Sequence, residues 1–143
     1  MIKEIKNGDE LLAIIIPDGY SNKGVKFFTN DDYSQQLAFM QHPEGNIIQP
    51  HVHNPVKREV QNTQEVLFIR KGKLRVDFYN EQQEYLFSRI LQSGDVILLV
   101  SGGHGFEVLE EIEMIEVKQG PYVGEKDKTR FVGIDKDNIV IKE

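Results

Sequence analysis

Apolar residues recur along this chain in short bursts, and turn signals separate the bursts. In "KLRVDFY" Leu74, Val76 and Phe78 alternate with Arg75 and Asp77, so they share one face of an extended chain. "VILLV" (96–100) and "LLAIII" (11–16) are apolar without interruption, as strands covered on both faces are. Turn signals stand between such runs: "NGD" (7–9), "PDGYSNKG" (17–24), "TNDD" (29–32), "HPEG" (42–45), "KGK" (71–73), "NEQQE" (80–84), "QSGD" (92–95), "SGGHG" (101–105) and "GPYVGEKD" (120–127). Many short strands divided this way predict an all-β sandwich or barrel. No stretch supports a helix of ten residues; "DDYSQQLA" (31–38) allows a turn of helix at most. No repeat, low-complexity tract or linker interrupts the pattern, so one domain over residues 1–143 is expected.

Composition narrows the function classes. The 143 residues are enough for one domain with a core. The formal net charge is −6 and no long basic block exists, which argues against nucleic acid as a partner. The chain has no cysteine, so disulfides and thiolate metal sites are excluded and any metal must be held by His, Asp, Glu or water. The start, "MIKEIKNGDELLAIII", mixes acidic residues with its lysines, and its apolar run is too short to span a bilayer. The expectation is a cytoplasmic protein with no membrane partner.

Two of the four histidines, His51 and His53, lie one residue apart in "IIQPHVHNP". On a strand they project to one side, together with Ile47 and Gln49. Two neutral imidazoles held this way suit a divalent metal. Glu65 opens "EVLFIRKG" and shares a face with Leu67 and Ile69, where a carboxylate is costly unless paired or bound to a cation. His104 follows the apolar run in the glycine-rich turn "SGGHGF". Three imidazoles and a carboxylate make a first shell with positions left for water or substrate. The plain alternative is two solvated histidines, a solvent-facing Glu65 and an ordinary turn residue at 104.

The order and spacing of these residues resemble the cupin superfamily. Gly45 is followed by five residues and then His51-Val52-His53; Glu65 is followed by six residues and then Gly72; "GDVILLVSGGHGF" matches the second motif through Gly94 and His104. The match covers roughly residues 45–108, with the first motif at about 45–72 and the second at about 94–108. Two departures stand out. Eleven residues separate His53 from Glu65, where the family has a far shorter gap, and Val100 stands where a proline is common. The long gap leaves Glu59 as a rival carboxylate, although the spacing of Glu65 to Gly72 is the familiar one. The resemblance implies a double-stranded β-helix, or jelly-roll barrel, with one divalent ion on His51, His53, Glu65 and His104 and a ligand site at one mouth. It also implies a homodimer. "LLAIII" is a candidate for a strand that crosses between subunits, and an ordinary inner strand is the alternative.

Such a fold hosts many chemistries, so the reaction stays open. With Fe, Mn, Ni or Zn, the site would suit an isomerase or a dioxygenase acting on a polar metabolite such as a sugar or a keto acid. A non-catalytic metal or small-ligand binding module and a metal-free structural barrel are the competing readings. The insert "NPVKREVQNT" (54–63) is a candidate lid, with Lys57 and Arg58 suited to an anionic group; a solvated loop is the plain reading. Gln49 is a further candidate ligand contact, and Tyr122 a candidate lid residue.

Overall fold

A computed structural model describes all 143 residues. The chain is all-β, with strands β1 (Lys3–Asn7), β2 (Glu10–Ile16), β3 (Gly24–Phe27), β4 (Ala38–Gln41), β5 (Glu65–Tyr79), β6 (Tyr85–Gln92), β7 (Val96–Leu99) and β8 (Gly103–Lys118). Two 3-10 turns, Gly124–Asp127 and Lys136–Asn138, are its only helical segments. No helix is long and apolar enough to cross a membrane. The chain divides into two compact units, residues 1–20 with 63–143, and residues 21–62.

The first unit is one curled antiparallel sheet organised around β5. The strand order is β1-β2-β7-β5-β6, and β8 takes the other edge of β5. Strands β6 and β7 lie end to end along one edge of β5: Glu65–Phe68 pair with β7, and Lys73–Tyr79 pair with β6. Between them the Ser93–Asp95 turn loops out and is tied back by Gly94 N donating to Ile69 O (2.7 Å) and Ile69 N donating to Asp95 O (2.9 Å). Strand β8 follows β5 from Glu65 opposite Lys118 to Tyr79 opposite Gly103, with three register shifts between Ile69 and Leu74. Such bulges bend a ribbon.

Paired residues on neighbouring strands share a face, and that face carries the core. Leu67, Ile69, Leu74, Val76 and Phe78 of β5 pack with Leu91, Ile97, Leu99, Ala13, Ile15 and Ile5. Ile14 and Leu98 are buried on the opposite face, which explains why β2 and β7 read as unbroken apolar runs. "LLAIII" is thus an inner strand, between β1 and β7 of its own chain.

Two expected turns prove to be strand. "KGK" lies inside β5, where Gly72 (φ +93°) sits at the bulge and an added Cβ would run into the Glu111 carbonyl. His104 is the second residue of β8 and not part of a turn, because the turn ends at Gly102.

The second unit contains the β3–β4 hairpin, paired from Gly24–Gln41 to Phe27–Ala38. Its long loop is stitched by Phe28 N to Leu37 O (2.9 Å) and by Gln36 Nε2 to the carbonyls of Asn30 (2.8 Å) and Tyr33 (3.0 Å). Residues 31–35 form turns and bends where a helical turn was allowed over 31–38. Residues 42–62 have no regular structure. The strand expected under His51 and His53 is therefore not formed, and Pro43, Pro50 and Pro55 each withhold a backbone donor there.

Candidate acid–base cluster on the concave face

Glu65 begins β5, and its side chain turns to the core side with Leu67 and Ile69, as the alternation predicts. It is 15 % exposed. His104 lies opposite Phe78 near the far end of the same strand. A straight strand would hold those two ends roughly 40 Å apart. Instead His104 Nε2 lies 3.2 Å from Glu65 Oε1. The bulged β5–β8 ribbon has curled until its two ends meet, and the contact is made on the concave face.

Glu116 completes the cluster from the other end of β8. It lies opposite Leu67 and so shares the concave face, and its carboxyl is hydrogen-bonded to that of Glu65. Lys118, opposite Glu65, places Nζ 3.8 Å from Glu116 Oε1. The hydrogen bond from His104 is the main reason Glu65 is pulled down to about 2. The bond to Glu116 and the positive charge of His104 and Lys118 act in the same direction, against burial. Glu116 moves the other way: its bond to Glu65, burial and repulsion by the Glu65 carboxylate all favour its proton. The cluster therefore sets an ionised Glu65 carboxylate against the His104 imidazole, with Glu116 beside it as the carboxyl whose proton is favoured. Phe106, whose ring lies 5.3 Å from that of His104, and Val108 and Met114 leave an apolar floor beside it that is 40–53 % exposed.

The expected ligand set falls into two preformed halves. Glu65 and His104 are together in the first unit. In the second, the rings of His51 and His53 stand edge to face with centroids 5.1 Å apart. The Nδ1 of His51 is 2.9 Å from Gln49 O, which leaves Nε2 for a ligand. The donor chemistry of both halves suits a first-row divalent ion, although no three His, Asp or Glu side chains converge as a metal-holding group. Of the two candidate carboxylates, Glu65 meets His104, while Glu59 is exposed and close to Gln61 Nε2. Gln49, Lys57 and Arg58 are exposed in the irregular segment, and Tyr122 is 86 % exposed.

Two residues of the concave face were missed in the sequence. Finding Glu116 requires the β5–β8 register, which the local pattern does not carry. Arg89 did leave a signal. In "YLFSRILQ" it sits two residues from Phe87 and two from Leu91, on their apolar side. It lies opposite Val76, with Nε and Nη1 buried and without a hydrogen-bond partner. Its guanidinium is 6.0 Å from the Phe87 ring centroid, and Lys142 Nζ is 4.4 Å from the same centroid.

Comparison with family models, with curated proteins and with solved structures finds no match to this chain.

Proposed function

We propose that this protein is a cupin-type jelly roll that holds one divalent ion, of Fe, Mn, Ni or Zn character, with Glu65, His104, His51 and His53, and binds a small metabolite on the concave face. The reading rests above all on the 3.2 Å contact between Glu65 and His104, two residues from separate motifs that only a closed ribbon can join. When bound, the ion would supply Lewis acidity to a carbonyl or to water. The chain itself supplies orientation: Phe106, Val108 and Met114 offer an apolar bed, and Glu116 lies beside Glu65 as the carboxyl whose proton is favoured. Arg89 favours an acidic metabolite, such as a keto acid, over a neutral sugar. Its buried donors have no partner, and a carboxylate is the group that a guanidinium matches best. Isomerisation and dioxygen-dependent oxidation are the reactions to test, in a cytoplasmic homodimer.

Calorimetric titration of metal-free protein tests the site. One ion per chain is expected. Affinity should fall about tenfold or more in Glu65→Gln, in His104→Ala and in the His51→Ala/His53→Ala double variant, but not in Glu59→Gln. Occupancy should rise with pH through the imidazole range, because protonated histidine cannot coordinate. Undiminished affinity in the double variant would remove the histidine pair from the set. Keto acids that bind without turnover would make the protein a binding module rather than an enzyme.

A further inference from the structure

Strand β8 has one partner. It runs beside β5 for sixteen residues, thirteen of them paired, and no other strand pairs with its second edge. The main-chain groups on that edge have no strand partner, and beside them Phe106, Val108, Ile115 and Val117 are 40–57 % exposed. A long open edge of this kind is a template for another strand. Three bulges interrupt it, but Gly103–Val108 is free of them, and that stretch contains His104.

The same chain carries an unpaired segment. Residues 47–62 make no backbone–backbone hydrogen bond, and every residue from 41 to 62 is exposed, including Ile47, Ile48, Val52 and Val56. Gly45, with φ +85°, ends the turn before this segment, and Pro55 limits it on the other side. The composition does not oppose pairing with β8. Residues 47–54 carry no carboxylate, and the bulge-free stretch of β8 carries only Glu107, which Arg75 already holds.

We infer that residues 47–54 of one copy add as a strand to the free edge of β8, at Gly103–Val108, in a second copy, and that His51 and His53 thereby complete the Glu65–His104 site of the partner copy. Each chain carries the open β8 edge and the unpaired segment, so a two-fold dimer satisfies both at once. Pro50 fixes the parity. It has no N–H to give, so it must turn to solvent, and Gln49, His51 and His53 then turn their main-chain groups to β8. Side chains at 49, 51 and 53 share one face, and in the completed sheet that face is the one carrying His104. The metal component of this inference rests on the function proposed above; the strand addition does not.

Two measurements test it. By sedimentation the wild-type chain should be a dimer. Gln49→Pro removes a donor that faces β8 and should give monomers, while Val52→Pro removes one that faces solvent and should leave the dimer. Both positions are exposed and make no backbone–backbone hydrogen bond within one chain, and the Gln49 carbonyl that meets the His51 ring is kept in proline. A monomeric wild type, or equal behaviour of the two variants, overturns the strand addition. For the shared site, the His51→Ala/His53→Ala and Glu65→Gln/His104→Ala variants are each titrated with Zn²⁺, then unfolded and refolded as an equal mixture. Random pairing makes half the dimers mixed, each with one intact site, so about a quarter of the wild-type zinc per chain should return. No recovery, with the wild type binding zinc normally, places all four ligands within one chain and overturns the shared site. If the wild type binds no zinc, the proposed function fails and with it the shared site, while sedimentation still decides the strand addition.

Discussion

Glu65 shows what one residue's surroundings do to its chemistry. A carboxyl group ordinarily titrates near 4.5, but the His104 hydrogen bond holds Glu65 at about 2. As pH falls, the unfolded chain takes up this proton first. The stability that ionised Glu65 contributes is therefore complete above about 4.5 and lost as pH falls towards 2. Glu116 has the opposite sign: its raised value favours the folded state towards acid and offsets part of the loss. In metal-free protein, the stability advantage of wild type over Glu65→Gln should shrink across that window in urea unfolding series. In His104→Ala the Glu65 carboxyl ¹³C titration should move up towards 4.5; an unmoved midpoint would mean that the imidazole is not the cause. The face that Glu65 shares with Leu67 and Ile69 was legible because strand parity is a local property, and Glu65 and His104 both stood out as candidates. Their contact was not legible, since it depends on the bend of a ribbon.

That bend belongs to the element. Gly72 lies in the middle of β5, where the β8 register slips three times, and its positive φ together with the nearby Glu111 carbonyl leaves no room for a Cβ. A lysine–glycine–lysine stretch between two alternating runs has the same local pattern whether the chain reverses or only bulges, so "KGK" resembled a hairpin turn. The ion pairs Lys71–Glu111, Lys73–Glu110 and Arg75–Glu107 span the bulged region and are consistent with continued pairing. They are partly exposed and add little stability individually. Gly72→Ala should destabilise the fold by about 1–3 kcal/mol, the range for a residue forced into an unfavourable backbone region. Because the bulge curls the ribbon, the variant should also raise the Glu65 midpoint. A loss of stability with the midpoint unchanged would separate the bulge from the closure of the site. The strand expected under His51 and His53 failed differently. Their alternation was strand-like, but a strand also needs a neighbour, and sequence periodicity names none.

At the scale of the whole molecule, every core residue comes from residues 1–20 and 63–143, and none between 21 and 62 is buried. The chain leaves the sheet after β2 and returns at β5, so the excursion sits in the middle of the sequence with no glycine–serine linker to mark it. Periodicity made the all-β class legible because each strand carries its own alternation. It could not show the division into two units, because whether a segment is buried depends on what packs over it. Stability should divide along the same line. Opening β2, β5 or β7 exposes the shared core, so their amides should exchange only through global unfolding. The β3–β4 hairpin has four paired positions and no buried side chain, so it can open without disturbing that core. Native-state hydrogen exchange should find its amides at least about 100-fold faster than those of Ala13–Ile15, Leu67–Ile69 and Ile97–Leu99. In low urea the core amides should respond with the full unfolding slope, and the hairpin amides with almost none. Equal protection and a common slope would show that the two units unfold as one.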